Sequence, residues 1–389
     1  VAAKLQEGVL ASRGALFRPV AASWRGTALG LDATRRHRGH KLPATCVALV
    51  DDETTAFTGS KDGSIVRWDV ETGKKTALPG SALLGKVAMA AGGAPGVGHT
   101  DEVLALSVST NGRYLASGGR DCKVRVWDVR TGEQVEAFQG HTKAVHGLAF
   151  RKASNMLYSA SADRTIKHWN LDEMAYVETS FGHTSDVHGI DCLYKERAVS
   201  VGRDRTARLW KFVDDTHLVF NAVSKTTMSM ECVAMLNESW FVAGCQDGSM
   251  ALYNAGRKKP PAKIKCCHSP SKMVPGAFGA LPPPTHTLLS CPWVVSVASM
   301  PNSDIVATGA ADGYVRLWQV KLPVAGSRAA VDPVGSSGFV NGIQFAPSGR
   351  FMVSAVGTEH RMGRWWRLSG GIRNGLAVTP MPPIEAAND

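Results

Sequence analysis

Polar and apolar residues alternate in short bursts along most of the chain, and the clearest set runs from Gly98 to Asp128, GHTDEVLALSVSTNGRYLASGGRDCKVRVWD. Val103, Ala105, Leu106 and Val108 form one burst, Asn111-Gly112 marks a turn, Tyr114 to Ser117 forms a second burst, and Val124 to Trp127 a third. Alternation of this kind, broken by Asn and Gly, predicts strands joined by tight turns. Three short strands cannot bury both faces of their own sheet, so the unit must stack on copies of itself. By contrast, Leu5, Val9, Leu16 and Val20 recur at helical spacing, interrupted by Gly8 and Gly14, which predicts a short helical extension over residues 1–30.

The copies can be counted on a closing aromatic residue, found at Trp68, Trp127, Trp169, Trp210, Tyr253, Trp318 and Trp366. An Asp lies six residues before the first six of these (Asp62, Asp121, Asp163, Asp204, Asp247 and Asp312), and His360 takes that place in the last. Four units also open on Gly-His, with His40, His99, His141 and His183 standing 27 or 28 residues ahead of the aromatic. The pattern resembles that of WD-repeat proteins, and the resemblance implies an all-β fold, a seven-bladed WD-repeat β-propeller. Such rings close by pairing an N-terminal strand with C-terminal ones, which removes exposed sheet edges. Leu31 to His37 is therefore expected as the outermost strand of the last blade, with the ring over residues 31–370 and a tail at 371–389. Residues 80–97, rich in Gly and Ala, and 256–285, with RKKPP and LPPP, read as loop insertions between blades. The fifth unit is the weakest, with Ala243 where a hydroxyl belongs and no Gly-His. The sixth keeps Thr308, Asp312 and Trp318 but opens on Cys291-Pro292-Trp293.

Units one to four repeat the same four residue types in register: His40, Thr58, Asp62, Trp68; His99, Ser117, Asp121, Trp127; His141, Ser159, Asp163, Trp169; His183, Ser200, Asp204, Trp210. One Ser with His and Asp would suit a hydrolase, but four copies around a ring are structural. The WD-repeat resemblance implies a buried chain in which Asp orients His, His meets the hydroxyl, and the hydroxyl meets the indole nitrogen. No catalytic residue and no cofactor are expected, and the protein is not expected to be an enzyme. Cys266, Cys267 and His268 could suggest a metal site, but neighbouring thiols splay apart and no second ligand cluster accompanies them, so no metal is expected. The eight cysteines include no Cys-x-x-Cys pair and suit a reducing compartment. No apolar run is long enough to span a membrane.

Net charge is +11, and residues 1–41 hold eight Lys or Arg against two acids, a bias that favours a polyanionic partner. The turn around each key Asp should lie on one face of the ring. It is flanked by Lys61, Arg120, Arg164, Arg203 and Arg205 in units one to four, and by Arg361 beside His360 in unit seven. Units five and six have neutral residues there, so the basic positions form an arc. With Arg35, Arg36, Arg38 and Lys41 they are the candidate RNA contacts. Asp-Arg-Thr is also an ordinary turn in such repeats, and both readings stay open. Arg125, Lys167, Arg208, Arg316 and Arg364 precede the closing aromatic by two residues and Arg67 by one, a regularity that marks them as mainly structural.

The runs KLQEGVLASRGAL, RGHKLPATCV, YVETSFGH, WVVSVASMPNSDIVATGAADGYVRLWQ and VGTEHRMGRWWRL are similar to the WD-repeat family of the U3 small nucleolar ribonucleoprotein, over almost the whole chain. The resemblance implies a nucleolar protein that binds U3 small nucleolar RNA at its box B/C element, beside the small kink-turn-binding core protein. It implies a place among the proteins of the small-subunit processome during maturation of 18S ribosomal RNA. Two other classes remain. Trp127-Asp128-Val129-Arg130 fits the short box through which some WD-repeat proteins dock as substrate receptors onto a cullin ubiquitin ligase. A generic protein scaffold is open to any propeller, because the fold does not fix function.

Overall fold

The computed structural model describes residues 20–21, 24, 33–80, 97–222, 229–268, 292–310, 312–320, 327–329, 334–335, 339–363 and 373–383. Its strands form seven antiparallel sheets whose innermost strands neighbour one another in a closed circuit, the seven-bladed propeller that the repeats imply. In the second blade, Val103–Val108, Tyr114–Gly119, Val124–Asp128 and Gln134–Phe138 pair in chain order, so the three alternating bursts become the inner strands. The sixth blade has a divided outer strand, Ser327–Ala329 and Val334–Gly335, both paired with Tyr314–Val320. Blades approach closely where the second strand carries glycine: a Cβ on Gly59 would lie 2.7 Å from Val103 of the next blade, and one on Gly118 the same distance from Val145.

The ring closes as expected. Arg35–Arg38 pairs with Gly375–Pro380, from Arg35 opposite Val378 to Arg38 opposite Gly375. That partner strand, however, lies in the segment expected as a tail, and it is the third strand of the last blade. Its Thr379 stands opposite Met352, the register that Trp127 holds opposite Leu115 and Trp318 holds opposite Val306. Trp366 is therefore not the closing residue of this blade, and His360 is not the counterpart of the key Asp. Counting six residues back from an aromatic fails here because residues 358–374 intervene between the second and third strands. Trp366 itself lies outside the described residues.

In the first six blades the closing aromatic is buried and packs onto the preceding blade. Trp127 lies with Phe57 and Ile65, and Trp169 stacks on Phe138 with ring centroids 4.8 Å apart. The seventh interface has no such residue from its own blade. There Trp24, fully buried with Val20 and Ala21, packs among Met300, Ile305, Leu317, Phe345 and Met352. The backbone nitrogens of Val20 and Ala21 donate to Asp304 Oδ1 at 2.8 and 3.0 Å. Burying a side chain of this size contributes roughly 2–3 kcal/mol. The rest of the expected helical extension, residues 1–19, 22–23 and 25–30, lies outside the described residues, which contain no α-helix.

One expected insertion is partly regular structure. Arg257–Ile264, RKKPPAKI, is the outermost strand of the fifth blade and pairs with Met250–Asn254. Pro260 and Pro261 fall in a gap of the register between Arg257 and Ala262, so neither removes a ladder hydrogen bond. Residues 81–96 of the other insertion and 269–285 of this one lie outside the described residues.

Candidate nucleic-acid interface

The repeated Ser, His and Asp could act on a substrate only if they were open to one. In the second blade His99 Nδ1 lies 3.0 Å from Asp121 Oδ1, its Nε2 lies 2.7 Å from Ser117 Oγ, and Trp127 Nε1 donates to that oxygen at 2.8 Å. The third blade repeats this through His141, Asp163, Ser159 and Trp169, and the fourth through His183, Asp204, Ser200 and Trp210. His, Ser and Trp are buried in all three, so each hydroxyl is occupied on both sides and faces no solvent. Burial alone would raise the carboxyls of Asp163 and Asp204, but hydrogen bonds from His141 and Thr165 and from His183 and Thr206, with the charge of each imidazole, together outweigh it and hold both below the ordinary carboxylate range. The first blade is built with a relay. His40 Nδ1 meets Ser64 Oγ at 2.8 Å, Ser64 donates to Asp62, and the Asp62 carboxylate stays 3.9 Å from the imidazole. Burial there lowers His40 to about 4, against partial compensation from Asp62. On the other side of the imidazole, Nε2 lies 2.7 Å from Thr58 Oγ1, to which Trp68 Nε1 donates at 2.8 Å.

The sixth blade holds a complete tetrad that its sequence conceals. His268 Nδ1 lies 2.8 Å from Asp312 Oδ2, His268 Nε2 lies 2.9 Å from Thr308 Oγ1, and Trp318 Nε1 donates to Thr308 at 2.8 Å. The histidine that could suggest a metal ligand is thus a structural one. Its neighbours are also committed: the Cys267 thiol donates to the Gly248 carbonyl at 3.1 Å, and Cys266 is disulfide-bonded, which a reading of the cysteines as suited to a reducing compartment does not anticipate.

Each tetrad ties the turn after the second strand to the loop entering the blade, so both lie on one face of the ring. The basic residues of those turns divide sharply. Lys61 is 1% exposed, and its Nζ donates to the Gly363 carbonyl at 2.7 Å and meets Glu359 Oε2 at 3.2 Å. His360 is buried against Trp293, with burial lowering it to about 4. Arg361 reaches inward from the last blade across the central channel, where its Nη2 donates to the carbonyls of His188 at 3.1 Å and Glu231 at 3.0 Å. The channel is narrowed there to a cavity of about 150 Å³ between the innermost strands. These three candidates are therefore structural residues of the ring closure and not an exposed arc, because residues 359–363, which follow the second strand of the last blade, pack against the first blade and reach into the channel. The regular arginines before the closing aromatic are structural as expected: Arg125 Nη1 donates to Gln134 at 2.7 Å, and Arg316 Nη1 to the Cys267 carbonyl at 2.6 Å. Arg364 lies outside the described residues.

Arg120, Arg164, Arg203 and Arg205 do face solvent. Arg120 bridges to Glu102 at 3.2 Å with its side chain 55% exposed. Arg164 and Arg205 sit directly after the key Asp with φ of 71° and 62°, a position held by Gly63, Gly248 and Gly313 in blades one, five and six and by Cys122 in blade two. The left-handed region costs an L-residue about 1–2 kcal/mol, which glycine avoids. Two arginines kept at a strained backbone position with their side chains in water point to a use outside the fold.

A family model of the WD domain, G-beta repeat, matches residues 32–69, 96–128, 132–170, 175–211 and 283–319. The chain is 42% identical over 358 residues to a rice (Oryza sativa subsp. japonica) U3 snoRNP-associated protein-like YAOH, covering 90% of this chain and 69% of that one. It is 38% identical to the Homo sapiens U3 small nucleolar RNA-interacting protein 2, covering 98% of this chain and 75% of that protein. The chain belongs to this family of U3 snoRNP-associated WD-repeat proteins. A solved structure of U3-55K superimposes with a TM-score of 0.78 at 37% identity, covering 90% of this chain and 98% of that one.

In this member of the U3-associated family the remaining basic candidates form a second surface. Arg35, Arg36 and Arg38 are exposed along the closing strand, on the outer wall where the last blade meets the first. Arg35 Nη1 donates to the Glu71 carbonyl at 2.8 Å, and Lys75 Nζ to the Arg38 carbonyl at 2.9 Å. Lys41 is exposed beside the first tetrad. Sequence reasoning missed the inward course of Arg361, the role of Trp24 and the tetrad of His268. For the last a signal existed: Thr308, Asp312 and Trp318 lack a histidine, and only His268 and His286 stand between Tyr253 and Trp318.

Proposed function

We propose that this protein is a non-catalytic subunit of the U3 small nucleolar ribonucleoprotein that binds U3 RNA at box B/C together with the kink-turn-binding core protein. It would act in the small-subunit processome, in the nucleolus, during processing that yields 18S ribosomal RNA. The observation that carries the reading is the exposed arc of Arg120, Arg164, Arg203 and Arg205 on one face, two of its members at strained positions. Its relatives are named for association with the U3 particle. Structured RNA hides its base edges in a narrow major groove, so such arginines would contact phosphates and 2′-hydroxyls and read shape. The buried tetrads supply no free nucleophile, which supports a binding role without chemistry. Lys41 and the closing strand offer the RNA a second contact.

The test is crosslinking of the tagged protein in cells, followed by identification of both the RNA and the crosslinked peptides. U3 RNA should be enriched, with crosslinks at the turns holding Arg164 and Arg205. Enrichment of a ligase adaptor with no RNA, or crosslinks confined to other faces, would overturn the reading.

A further inference from the structure

The outermost strands of a propeller each leave one backbone edge open, and natural edges are defended by Lys, Arg, Pro or irregular pairing. Four of the outer strands here follow that rule: Arg35–Arg38 is RRHR, Lys75–Ala77 is KTA, Arg257–Ile264 is RKKPPAKI, and Ser327–Ala329 is SRA. Gln134–Phe138 of blade two, QVEAF, Ala175–Phe181 of blade three, AYVETSF, and Thr216–Asn221 of blade four, THLVFN, contain none of these residues, and the first two pair irregularly. Among the described residues, every exposed large hydrophobic falls on blades two to four, and nearly all on these two strands or the turn leading into the second. Phe181 is 73% and Val213 75% exposed, and Tyr176, Val177, Leu218 and Val219 are exposed on the same two strands. Apolar exposure concentrated on two neighbouring blades marks an interaction surface.

We infer that this outer wall is a docking edge for an extended segment of a partner protein in which lysine or arginine alternates with apolar residues. The pairing edge is that of Thr216–Asn221, because its register with Thr206–Lys211 runs unbroken from Thr206 opposite Asn221 to Lys211 opposite Thr216, whereas the blade-three edge is interrupted between His168 and Trp169. Strand addition would supply backbone hydrogen bonds, with alternate side chains giving specificity. The charge of the wall selects the partner. On a chain of net charge +11, the exposed charged residues of these two strands and of the turns leading into them are acids, Asp172, Glu173, Glu178, Asp214 and Asp215, while the half-buried Lys167 is committed to Thr179 at 2.7 Å and to the Tyr176 ring. Those carboxylates repel phosphate and would attract a basic segment, which favours a basic peptide over RNA as the occupant and separates this wall from the arginine face.

The test uses the full chain free of RNA and a labelled peptide of alternating lysine and valine, with an alternating glutamate and valine peptide as its counterpart. Fluorescence anisotropy should show binding of the lysine peptide only, and hydrogen exchange should show new protection in Thr216–Asn221. Val213→Lys with Val219→Lys should weaken binding by about tenfold or more, without moving the melting temperature or U3 RNA binding. If that variant is unstable, Asp214→Lys with Asp215→Lys, in an exposed turn, tests the charge alone and should give the same direction. No binding, equal binding of both peptides, unchanged binding by the variants, or protection at another edge would overturn the proposal. So would self-association of the parent chain that the variants abolish, since a second copy would then be the occupant.

Discussion

Lys61 flanks the same kind of turn as Arg164 and Arg205, and Arg361 follows the second strand of the last blade, yet these first two point into the ring and the other pair into water. Inside, each cation has an assigned acceptor. Lys61 joins blade one to the Gly363 carbonyl and Glu359 of the last blade, and Arg361 joins the last blade to the carbonyls of His188 and Glu231 on blades four and five. Outside, Arg164 and Arg205 have φ angles that glycine would adopt more readily. The inward cations therefore contribute to stability, and the outward ones detract from it slightly. A basic residue that costs stability where glycine is the common alternative is the better candidate for binding.

Acid should break the inward group first. Burial lowers His40 to about 4, His146 to about 3 and His360 to about 4, and charges including Arg361 add to the shift in the last two. Their unfolded values lie near the ordinary 6.5, so between that pH and about 4 the unfolded chain binds protons that the folded one does not. Stability should therefore be fully present above pH 6.5 and fall steadily below it, before the tetrad carboxylates titrate. A melting temperature flat from about pH 7 to 4.5 would contradict the burial of these histidines. Next in size, Arg361→Ala removes two charge-assisted hydrogen bonds across the channel and should cost about 3 kcal/mol in chemical unfolding. An effect under about 0.5 kcal/mol would make Arg361 an ordinary surface arginine.

Smaller effects separate the tetrads. His268→Ala should cost about 2 kcal/mol, like Asp121→Ala in the regular second blade, because each leaves a buried polar partner without its hydrogen bond. Asp247→Ala in the fifth blade should cost less than about 1 kcal/mol. That blade replaces the polar chain with aromatic packing: Tyr253 stacks on Phe241 at 5.1 Å, and its hydroxyl donates to the Asn221 carbonyl at 3.2 Å. Equal effects at Asp121 and Asp247, measured by denaturant titration, would show that the tetrads do not distinguish the blades.

Much of the ring was legible because its repeats state local rules: alternating strands, a turn Asp, a closing aromatic. The tetrads of blades two to four and the closing strand Arg35–Arg38 follow those rules directly. Legibility ended where partners lie far apart in the chain. His268 serves Asp312 across residues 269–291, Trp24 serves an interface formed by blades six and seven, and the last blade finds its third strand only at Gly375. RKKPPAKI read as loop because its prolines are tolerated on an outer edge but nowhere deeper in a sheet. For the candidate site, spacing placed Lys61, Arg120, Arg164, Arg203 and Arg205 in the right turn but could not give the direction of each. Arg203 flanks the key Asp of a regular blade, whereas Arg361 lies where the last blade departs from the repeat, and it turns into the channel.

The most direct test replaces Arg164 and Arg205 together with glycine, the residue that blades one, five and six use at that position. Binding of U3 box B/C RNA, with the kink-turn protein present, would be titrated on filters at several salt concentrations alongside a thermal melt. The melting temperature should equal or exceed that of the parent, since relief of two left-handed residues is worth up to about 1 kcal/mol each. RNA binding should weaken, with the slope of log affinity against log salt flattened by about 0.7–0.9 for each phosphate that is no longer neutralised. Parental affinity and an unchanged slope in a well-folded variant would contradict a binding role, leaving these arginines as ordinary turn residues and placing the RNA elsewhere on the ring.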